Sequence, residues 1–308
     1  MGVRQGQGRH HLNVQEAFAS YEAVRHRLPS VVRAGACHRL PHLEALADEM
    51  DVFLLDAFGV LNIGETAIGG VPDRVARLQK AGKRVVVVSN AAGHPHAALM
   101  AKYQRLGYDF APEDVITSRK TLLHSLAEQS ERRWGLMAVE SLGREDLEDL
   151  DVMYLDDTPA CYDAVEAFLL IGAGAWTETR QTLLETSLMR NPRPVYVGNP
   201  DIVAPRETGF SSEPGYYAHR LADRTGVEPK FLGKPFPQIF DLAFARLGEG
   251  DRGRVVMVGD SLHTDILGGQ IAGLKTALIA GYGFFAGADV EKAVGQSGIS
   301  PDYILDRP

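Results

Sequence analysis

The stretch FLLDAFGVLNIG, residues 53–64, decides how this chain is interpreted. A short apolar run ends there on Asp56, and the chain can turn at Gly59, because glycine tolerates backbone angles that other residues avoid. A carboxylate that directly follows a buried strand is well placed to do chemistry. Two residues later the sequence carries the aromatic Phe58, so this stretch offers one acid and not two.

Short apolar runs recur along the chain, with helical segments between them. The runs are VFLL at 52–55, RVVVVSN at 84–90, RVVMVGD at 254–260 and TALIAG at 276–281. Runs of Val, Ile and Leu are typical of parallel strands that helices cover on both faces. PDRVARLQKAGK, residues 72–83, is predicted to be a helix, since Pro72 lies at its start and Gly82 just past its end. The predicted fold class is therefore α/β, with a Rossmann-like doubly wound parallel sheet.

The chain divides into three predicted regions. Residues 1–50 begin with a loose tail of eleven residues and then show helical periodicity, so they are expected to form a helical extension that packs on the core. The core is assigned to residues 51–130 and 197–308. Between its two parts, the runs LMAVE, VMYLDD and PVYVGNPD alternate with acidic helical stretches. They predict a smaller inserted α/β domain over residues 131–196.

Composition excludes several classes of function. The chain has 308 residues, 45% of them hydrophobic, which is ample for a buried core. The net charge of -8 argues against binding to nucleic acid, which requires clustered Lys and Arg. Cys37 and Cys161 stand far apart and outside any CxxC, so we expect two buried thiols and no disulfide. No apolar run is long enough for a membrane span, and the start lacks a signal-peptide core, so a cytoplasmic protein is expected.

Some glycine-rich and histidine-rich segments do not form the sites that they suggest. GGQIAGLKT at 268–276 has Leu274 directly before Lys275 and leads into a strand, whereas a phosphate-binding P-loop leads into a helix. IGAGAW at 171–176 lacks the third glycine of the dinucleotide fingerprint. HPH at 94–96 and the pair at 10–11 have no partner ligands at metal spacing, so solvated histidines are the simpler interpretation.

Four separated pieces carry the remaining chemistry. They are Asp56 in LLDAFGV, Ser89 in VVVVSN, Lys234 in FLGKPFP, and Asp260 with Asp265 in MVGDSLHTD. Each has an ordinary explanation alone, because Asp or Ser after a strand usually forms a turn or caps a helix, and Lys beside Pro usually lies on the surface. The acids and the hydroxyl follow apolar strands, and the lysine precedes the last pair. This shared placement makes coincidence a poor explanation.

In this order the pieces resemble the motifs of the haloacid dehalogenase superfamily, and within it subfamily IIA, the NagD-like and p-nitrophenyl-phosphatase-like proteins. The resemblance covers about residues 48–290, and residues before it are left unexplained. The matches are Asp56 to Gly59, Ser89 followed by Asn90, Lys234 in GKP, and Gly259, Asp260, Thr264 and Asp265 in GDxxxTD; GNPD at 198–201 is also similar. The resemblance implies that the insert is a cap over the active site.

The resemblance implies a magnesium-dependent phosphohydrolase that acts on small phosphorylated metabolites. Asp56 would attack phosphorus and form an aspartyl-phosphate, which divides one difficult hydrolysis into two displacements. A carboxylate and a phosphate repel each other, and Mg²⁺ held by oxygen ligands relieves the repulsion. By the family pattern these ligands are Asp56, Asp260 and the backbone carbonyl of Phe58. The expected partner is a small phosphorylated substrate, with no nucleic acid and no membrane, and a homodimer is left open.

The other matched residues would neutralise or hold the phosphoryl group. Lys234 adds a positive charge between the nucleophile and the phosphate, and the Ser89 hydroxyl donates to phosphoryl oxygens. Asn90 and Gly59 complete the substrate-binding set. Asp265 is expected to support the site by orienting Lys234 or a metal-bound water, and not to bind the ion itself.

Phe58 is the departure from the family pattern. Typical phosphatases of the family have there a second aspartate, which protonates the leaving group and then activates water. General acid-base catalysis of this kind contributes about 10² to 10⁴ in rate. His263 and Glu65 are the nearest replacements in sequence. Two alternatives therefore stay open: a weakly active or non-catalytic relative that binds a phosphorylated ligand, and a carbon–halogen hydrolase, against which the paired acids of GDSLHTD argue.

Overall fold

The computed structural model describes residues 12–127, 132–206 and 209–308. Within them are sixteen strands and ten α-helices. The strands are β1 His38–Leu40, β2 Val52–Leu55, β3 Asn62–Ile63, β4 Thr66–Ala67, β5 Arg84–Ser89, β6 Val115–Thr117, β7 Arg133–Met137, β8 Asp151–Tyr154, β9 Ala167–Leu170, β10 Val195–Val197, β11 Val203–Arg206, β12 Gly209–Ser212, β13 Lys230–Phe231, β14 Val255–Gly259, β15 Lys275–Ile279 and β16 Tyr303–Leu305. The helices are α1 Val14–Ala23, α2 Val71–Lys80, α3 His96–Arg105, α4 Ser118–Leu126, α5 Pro159–Asp163, α6 Glu178–Arg190, α7 Pro214–Thr225, α8 Gln238–Leu247, α9 Leu267–Ile271 and α10 Val290–Ser297.

The larger sheet has seven strands in the order β1-β16-β15-β14-β2-β5-β6. All its neighbouring strands are parallel. Successive residues of a strand point to opposite faces, so both faces must be covered. Phe53 and Leu55 pack in one cluster with Leu99 of α3, while Leu54 packs in another with Phe240 of α8. The predicted doubly wound parallel α/β fold is confirmed, and all four apolar runs named above contribute strands to this sheet.

The predicted helix after β3 and β4 is also present, as α2. Pro72 is its second residue, where the missing N–H is not needed. Gly82 follows the helix with φ +79°, the left-handed region in which glycine is favoured. The packing of α2 on the sheet buries Val75 and Leu78.

A second sheet is separate from the first and has the order β13-β10-β9-β7-β8. Its strands are parallel to their neighbours. Helices α6 and α7 cover it, with Leu184 and Leu221 in one buried cluster with Phe168. Because this sheet includes β13, we propose that the insert spans residues 132–232, so that the boundary at 196 expected from the sequence falls inside β10.

The N-terminal region is only partly helical, which corrects the expectation for residues 1–50. α1 forms as expected, with Asn13 and Glu16 in a capping box. Residues His38–Leu40, however, form β1, an edge strand of the larger sheet paired with β16. Backbone pairing with β16 at the edge of the sheet makes this segment a strand. The expected tail of eleven residues lies outside the described residues, as does the pair at 10–11.

The cysteines depart from the expectation of buried thiols. Cys37 and Cys161 are both free, and both are partly exposed instead of buried. No helix in the described part of the chain is long and apolar enough to cross a membrane.

Candidate active site

The carboxyl ends of three adjacent strands bring the predicted residues to one edge of the larger sheet. Asp56 follows β2, Ser89 ends β5 on one side of it, and Asp260 follows β14 on the other. The backbone N–H of Asp56 continues the sheet pairing by donating to the carbonyl of Val258 at 2.9 Å. The acids therefore meet because neighbouring parallel strands end together.

Lys234 contacts both the first and the last aspartate of the predicted motifs. Its ammonium lies 2.6 Å from Oδ1 of Asp56 and 2.7 Å from Oδ1 of Asp265. It also donates to the carbonyl of Val88 at 2.7 Å. Burial alone would lower the pKa of Lys234, but the carboxylates of Asp265 and Asp56 outweigh it and raise that pKa above its ordinary value. The lysine is therefore a permanent positive charge beside Asp56.

Asn90 fixes the backbone of this lysine. Its Oδ1 accepts from the Lys234 N–H at 2.7 Å, and its Nδ2 donates to the Lys234 carbonyl at 3.0 Å. The same Nδ2 donates to Oδ1 of Asp201 at 2.7 Å. The hydroxyl of Ser89 accepts from the N–H of Ala91 at 3.3 Å, so its proton is free to donate to a ligand. Both predicted residues thus lie at the site, and Asn90 supports Lys234 directly.

Three carboxylates form a cluster suited to a cation. Asp56, Asp260 and Asp265 place oxygen atoms within 4.8 Å of one another. Burial raises the pKa of Asp260 well above its ordinary value, and repulsion from Asp265 and Asp56 adds to the rise. Burial also raises the pKa of Asp265, to about 6, against the opposing effect of Lys234. One ammonium does not balance three acids, so these hard oxygen ligands fit a divalent metal ion.

Asp260 and Asp265 accept hydrogen bonds from different partners. Oδ2 of Asp260 accepts from the N–H of Phe284 at 2.8 Å. Oδ2 of Asp265 accepts from the N–H of Ser261 at 3.1 Å, while its other oxygen faces Lys234. Asp265 is therefore occupied by the lysine and its own turn, whereas Asp260 keeps an oxygen for other partners.

Gly59 is required by the close approach of Asp260. It has φ +74°, and a Cβ built on it would lie 2.2 Å from Oδ2 of Asp260. Any other residue would both strain the backbone and displace this carboxylate. The glycine three residues after Asp56 is thus needed for the turn that lets the two acids converge.

Phe58 lies partly buried beside the site, with two cations near its ring. Nζ of Lys102 lies 5.1 Å and the guanidinium carbon of Arg206 5.7 Å from the ring centroid. Lys102 pairs with Glu65 at 2.8 Å, and Arg206 pairs with Glu213 at 2.8 Å. The position that carries an acid in typical family members therefore has an aromatic surface flanked by paired charges.

Neither residue considered as a replacement for that acid is free to act as one. His263 is buried, with Nε2 2.5 Å from Oε1 of Glu22. The side chain of Glu65 is 73% exposed and pairs with Lys102. His263 is thus engaged with Glu22, and Glu65 is in an ion pair with Lys102.

Sequence reasoning missed two residues that the fold brings to this edge. Burial raises the pKa of Asp201 to about 8, although Asn90 and Lys234 oppose the rise. Its signal was the GNPD pattern at 198–201. Tyr21 of α1 also reaches the site, where its hydroxyl accepts from the N–H of Ile202 at 3.2 Å. The sequence around Tyr21 does not predict that it lies at the site, because the residues that it contacts there are far from it along the chain.

Comparison with known proteins is consistent with this geometry. A family model described as haloacid dehalogenase-like hydrolase matches residues 53–152, and a HAD-hydrolase-like model matches residues 231–307. These two segments contain Asp56, Ser89, Lys234, Asp260 and Asp265.

Two curated relatives and one solved structure are similar over most of the chain. D-glycerol 3-phosphate phosphatase of Mycobacterium tuberculosis is 30% identical over 77% of this chain and 65% of its own length. The acid sugar phosphatase of Staphylococcus aureus is 28% identical over 73% of this chain and 84% of its own. A crystal structure of a possible sugar phosphatase from Cytophaga hutchinsonii has a TM-score of 0.77 at 22% identity, covering 88% of this chain and 98% of that one.

Proposed function

Because this chain belongs to the haloacid dehalogenase-like hydrolases, in the NagD-like and p-nitrophenyl-phosphatase-like subfamily, we propose that it is a phosphatase for small phosphate monoesters. Sugar phosphates and glycerol phosphate are the substrate classes that the names of its relatives suggest. The single observation that supports the reaction best is the position of Lys234, whose ammonium lies 2.6 Å from Asp56 in a cluster of three acids.

Asp56 is the nucleophile in this proposal. Its carboxylate attacks phosphorus, the bond from phosphorus to the leaving oxygen breaks, the phosphoryl group is transferred to the aspartate, and the leaving oxygen takes a proton from water. Lys234 neutralises charge on the phosphoryl oxygens as they approach. The hydroxyl of Ser89 donates to one of these oxygens, and Asn90 keeps Lys234 in place. Water then hydrolyses the aspartyl-phosphate and restores Asp56.

A divalent cation, Mg²⁺ in this proposal, would be held by Asp56, Asp260 and the backbone carbonyl of Phe58, and would neutralise charge between carboxylate and phosphate. Asp265 supports the site by holding Lys234, at 2.7 Å. A role for the Phe58 carbonyl does not depend on its side chain, so the aromatic residue is compatible with the metal site.

The experiment is release of inorganic phosphate from glycerol 3-phosphate and from a panel of sugar phosphates, with Mg²⁺ and with a chelator. We expect turnover only with the metal, and none in Asp56→Asn. Asp51→Asn is the matched control, because Asp51 precedes the same strand at its other end and is exposed. Wild-type turnover in Asp56→Asn would exclude Asp56 as the nucleophile.

Phe58 favours a second candidate function, a relative that binds phosphorylated ligands and turns them over weakly or not at all. Neither His263 nor Glu65 supplies the missing acid-base group. This candidate predicts phosphate binding by calorimetry without phosphate release from any member of the panel. A cytoplasmic location and a homodimer stay predictions from the sequence.

A further inference from the structure

Helix α1, which lies outside the family resemblance, packs directly against the turn that carries the last two acids. Ala17 and Tyr21 of α1 share a buried cluster with Leu262 and Ile266. Residues 262–266 form a helical turn that begins two residues after Asp260 and contains Asp265. A helix from the chain's N-terminal region therefore covers the segment that sets the separation of the two carboxylates.

His263, inside that turn, is held by three side chains of α1. Its Nε2 lies 2.5 Å from Oε1 of Glu22. Its ring stacks on Tyr21, with centroids 5.0 Å apart and planes at 11°, and meets Phe18 edge-on at 5.3 Å. The imidazole is only 1% exposed. The contact with the Glu22 carboxylate and the two ring contacts therefore restrain the buried imidazole.

A second set of contacts connects α1 to Asp260 itself. The ring of Tyr21 meets the ring of Phe284 edge-on at 6.1 Å. The N–H of Phe284 donates to Oδ2 of Asp260 at 2.8 Å. The hydroxyl of Tyr21 accepts from the N–H of Ile202, next to Asp201. One tyrosine therefore contacts both segments that border the acid cluster.

We propose that Glu22 and Tyr21 are positioning residues, which hold the turn 262–266 and the preceding Asp260 through His263 and so set the affinity of the acid cluster for its divalent cation. This inference rests on the proposed function for the existence of the metal site. The plainer explanation is that α1 only covers apolar surface. Under that explanation Glu22, which is partly exposed, would contribute to folding but not to metal binding.

The test is the affinity of the purified full chain for Mg²⁺, measured by calorimetry without substrate. We expect Glu22→Gln to bind Mg²⁺ about tenfold more weakly, the lower end of the range for groups that orient a metal site indirectly. Glu16→Ala is the matched control, since it removes a capping glutamate of the same helix that has no contact with His263. It should lower the melting temperature and leave Mg²⁺ affinity unchanged.

A double variant separates positioning from simple loss of negative charge. If Glu22 acts through His263, Glu22→Gln will weaken Mg²⁺ binding much less in a His263→Gln background. An equal loss in both backgrounds would mean that charge alone is responsible and would overturn the proposal. Saturating Mg²⁺ should also restore turnover in Glu22→Gln, because the chemical groups are unchanged. If Glu22→Gln does not fold, Glu22→Asp, which keeps the charge on a shorter side chain, replaces it.

The outcomes distinguish this inference from the function on which it rests. Unchanged Mg²⁺ affinity in Glu22→Gln, with normal binding by the wild type, overturns the inference alone. Equal losses of affinity in Glu22→Gln and Glu16→Ala also overturn it, because helix stability would then explain both. Absence of Mg²⁺ binding by the wild type would overturn the metal site and the inference together.

Discussion

Nζ of Lys234 lies 2.7 Å from Oδ1 of Asp265, and the two side chains are 1% and 0% exposed. Removing one partner of a buried ion pair destabilises the fold, because the remaining charge is left without water or a partner. This pair also directs the lysine toward Asp56, 2.6 Å away. In the proposed mechanism, stability and catalysis therefore depend on the same ammonium group.

Replacing the lysine should damage both properties. We expect Lys234→Met to lose about 3 to 5 kcal/mol of unfolding free energy, the usual cost of removing one partner of a buried pair. Turnover should fall at least about 10²-fold, because a preorganised charge on the phosphoryl group is lost. Urea unfolding and phosphate release measure the two effects.

The double variant Lys234→Met with Asp265→Asn is the control for this prediction. It should recover part of the stability, since one unpaired acid is removed, and none of the turnover. A double variant that is less stable than Lys234→Met would mean that Asp265 stabilises the fold independently of the lysine.

The strands of the core could be predicted because their residues carry the pattern themselves. The Val-rich run of β5 is apolar on both faces, as burial between helices requires. β1, with the sequence HRL, has no such pattern and is a strand only because β16 offers it an edge. The proposed later end of the insert has a similar origin, since the two residues of β13 join the second sheet from far along the chain.

The residues of the candidate site also differ in whether the sequence could predict them. Asp56, Lys234 and Asp260 could be found because their order along the chain is itself a pattern. The contact between Glu22 and His263 joins residues 241 positions apart, and nothing local to either residue predicts it. The carboxyl of Asp201 was visible only as part of GNPD, because its raised pKa arises from surroundings that the fold assembles.

The cation site can be tested through Asp260 alone. Asp260→Ala should weaken Mg²⁺ binding by about 10-fold or more in calorimetry and reduce turnover, because one of few protein ligands is lost. Asp302→Ala is a useful comparison, since Asp302 is a buried acid that pairs with Arg33, remote from the cluster. Unchanged Mg²⁺ affinity in Asp260→Ala would remove Asp260 from the ligand set.

Asp201 should make the metal-free protein less stable as the pH rises. Its pKa is about 8 in the folded chain and about 3.9 when unfolded, so between these values the folded state binds the extra proton. The free energy of unfolding then decreases through this window, by at most about 1.4 kcal/mol per pH unit, and levels off above pH 8.

Asp201→Asn removes this dependence while keeping an oxygen that can accept from Asn90. The melting temperature of the variant, relative to the wild type, should therefore rise from pH 5 to pH 8 in the presence of a chelator. A difference that is constant with pH would show that Asp201 is ionised in the folded protein.

Phe58 should limit the second half of the reaction. Because Phe58 stands where the family has its acid-base aspartate, and His263 and Glu65 are engaged elsewhere, hydrolysis of the aspartyl-phosphate is expected to be slower than its formation from an aryl phosphate. Stopped-flow measurements on p-nitrophenyl phosphate should then show a burst of phenol followed by a slow steady state. Steady-state rates across aryl phosphates should depend little on the acidity of the leaving phenol.

Phe58→Asp tests the same prediction by introducing the missing carboxylate. Lys102 and Arg206, which flank the ring, would favour the ionised form of the introduced carboxylate, so it should act as a base for water more readily than as an acid. We expect the burst to disappear and the steady-state rate to rise by up to about 10², the lower bound for acid-base help. Phe58→Asn is the matched control, because asparagine has the same shape as aspartate and cannot accept a proton. If the wild type shows no burst and the two variants turn over equally, Phe58 is not what limits this enzyme, and another residue must move the proton.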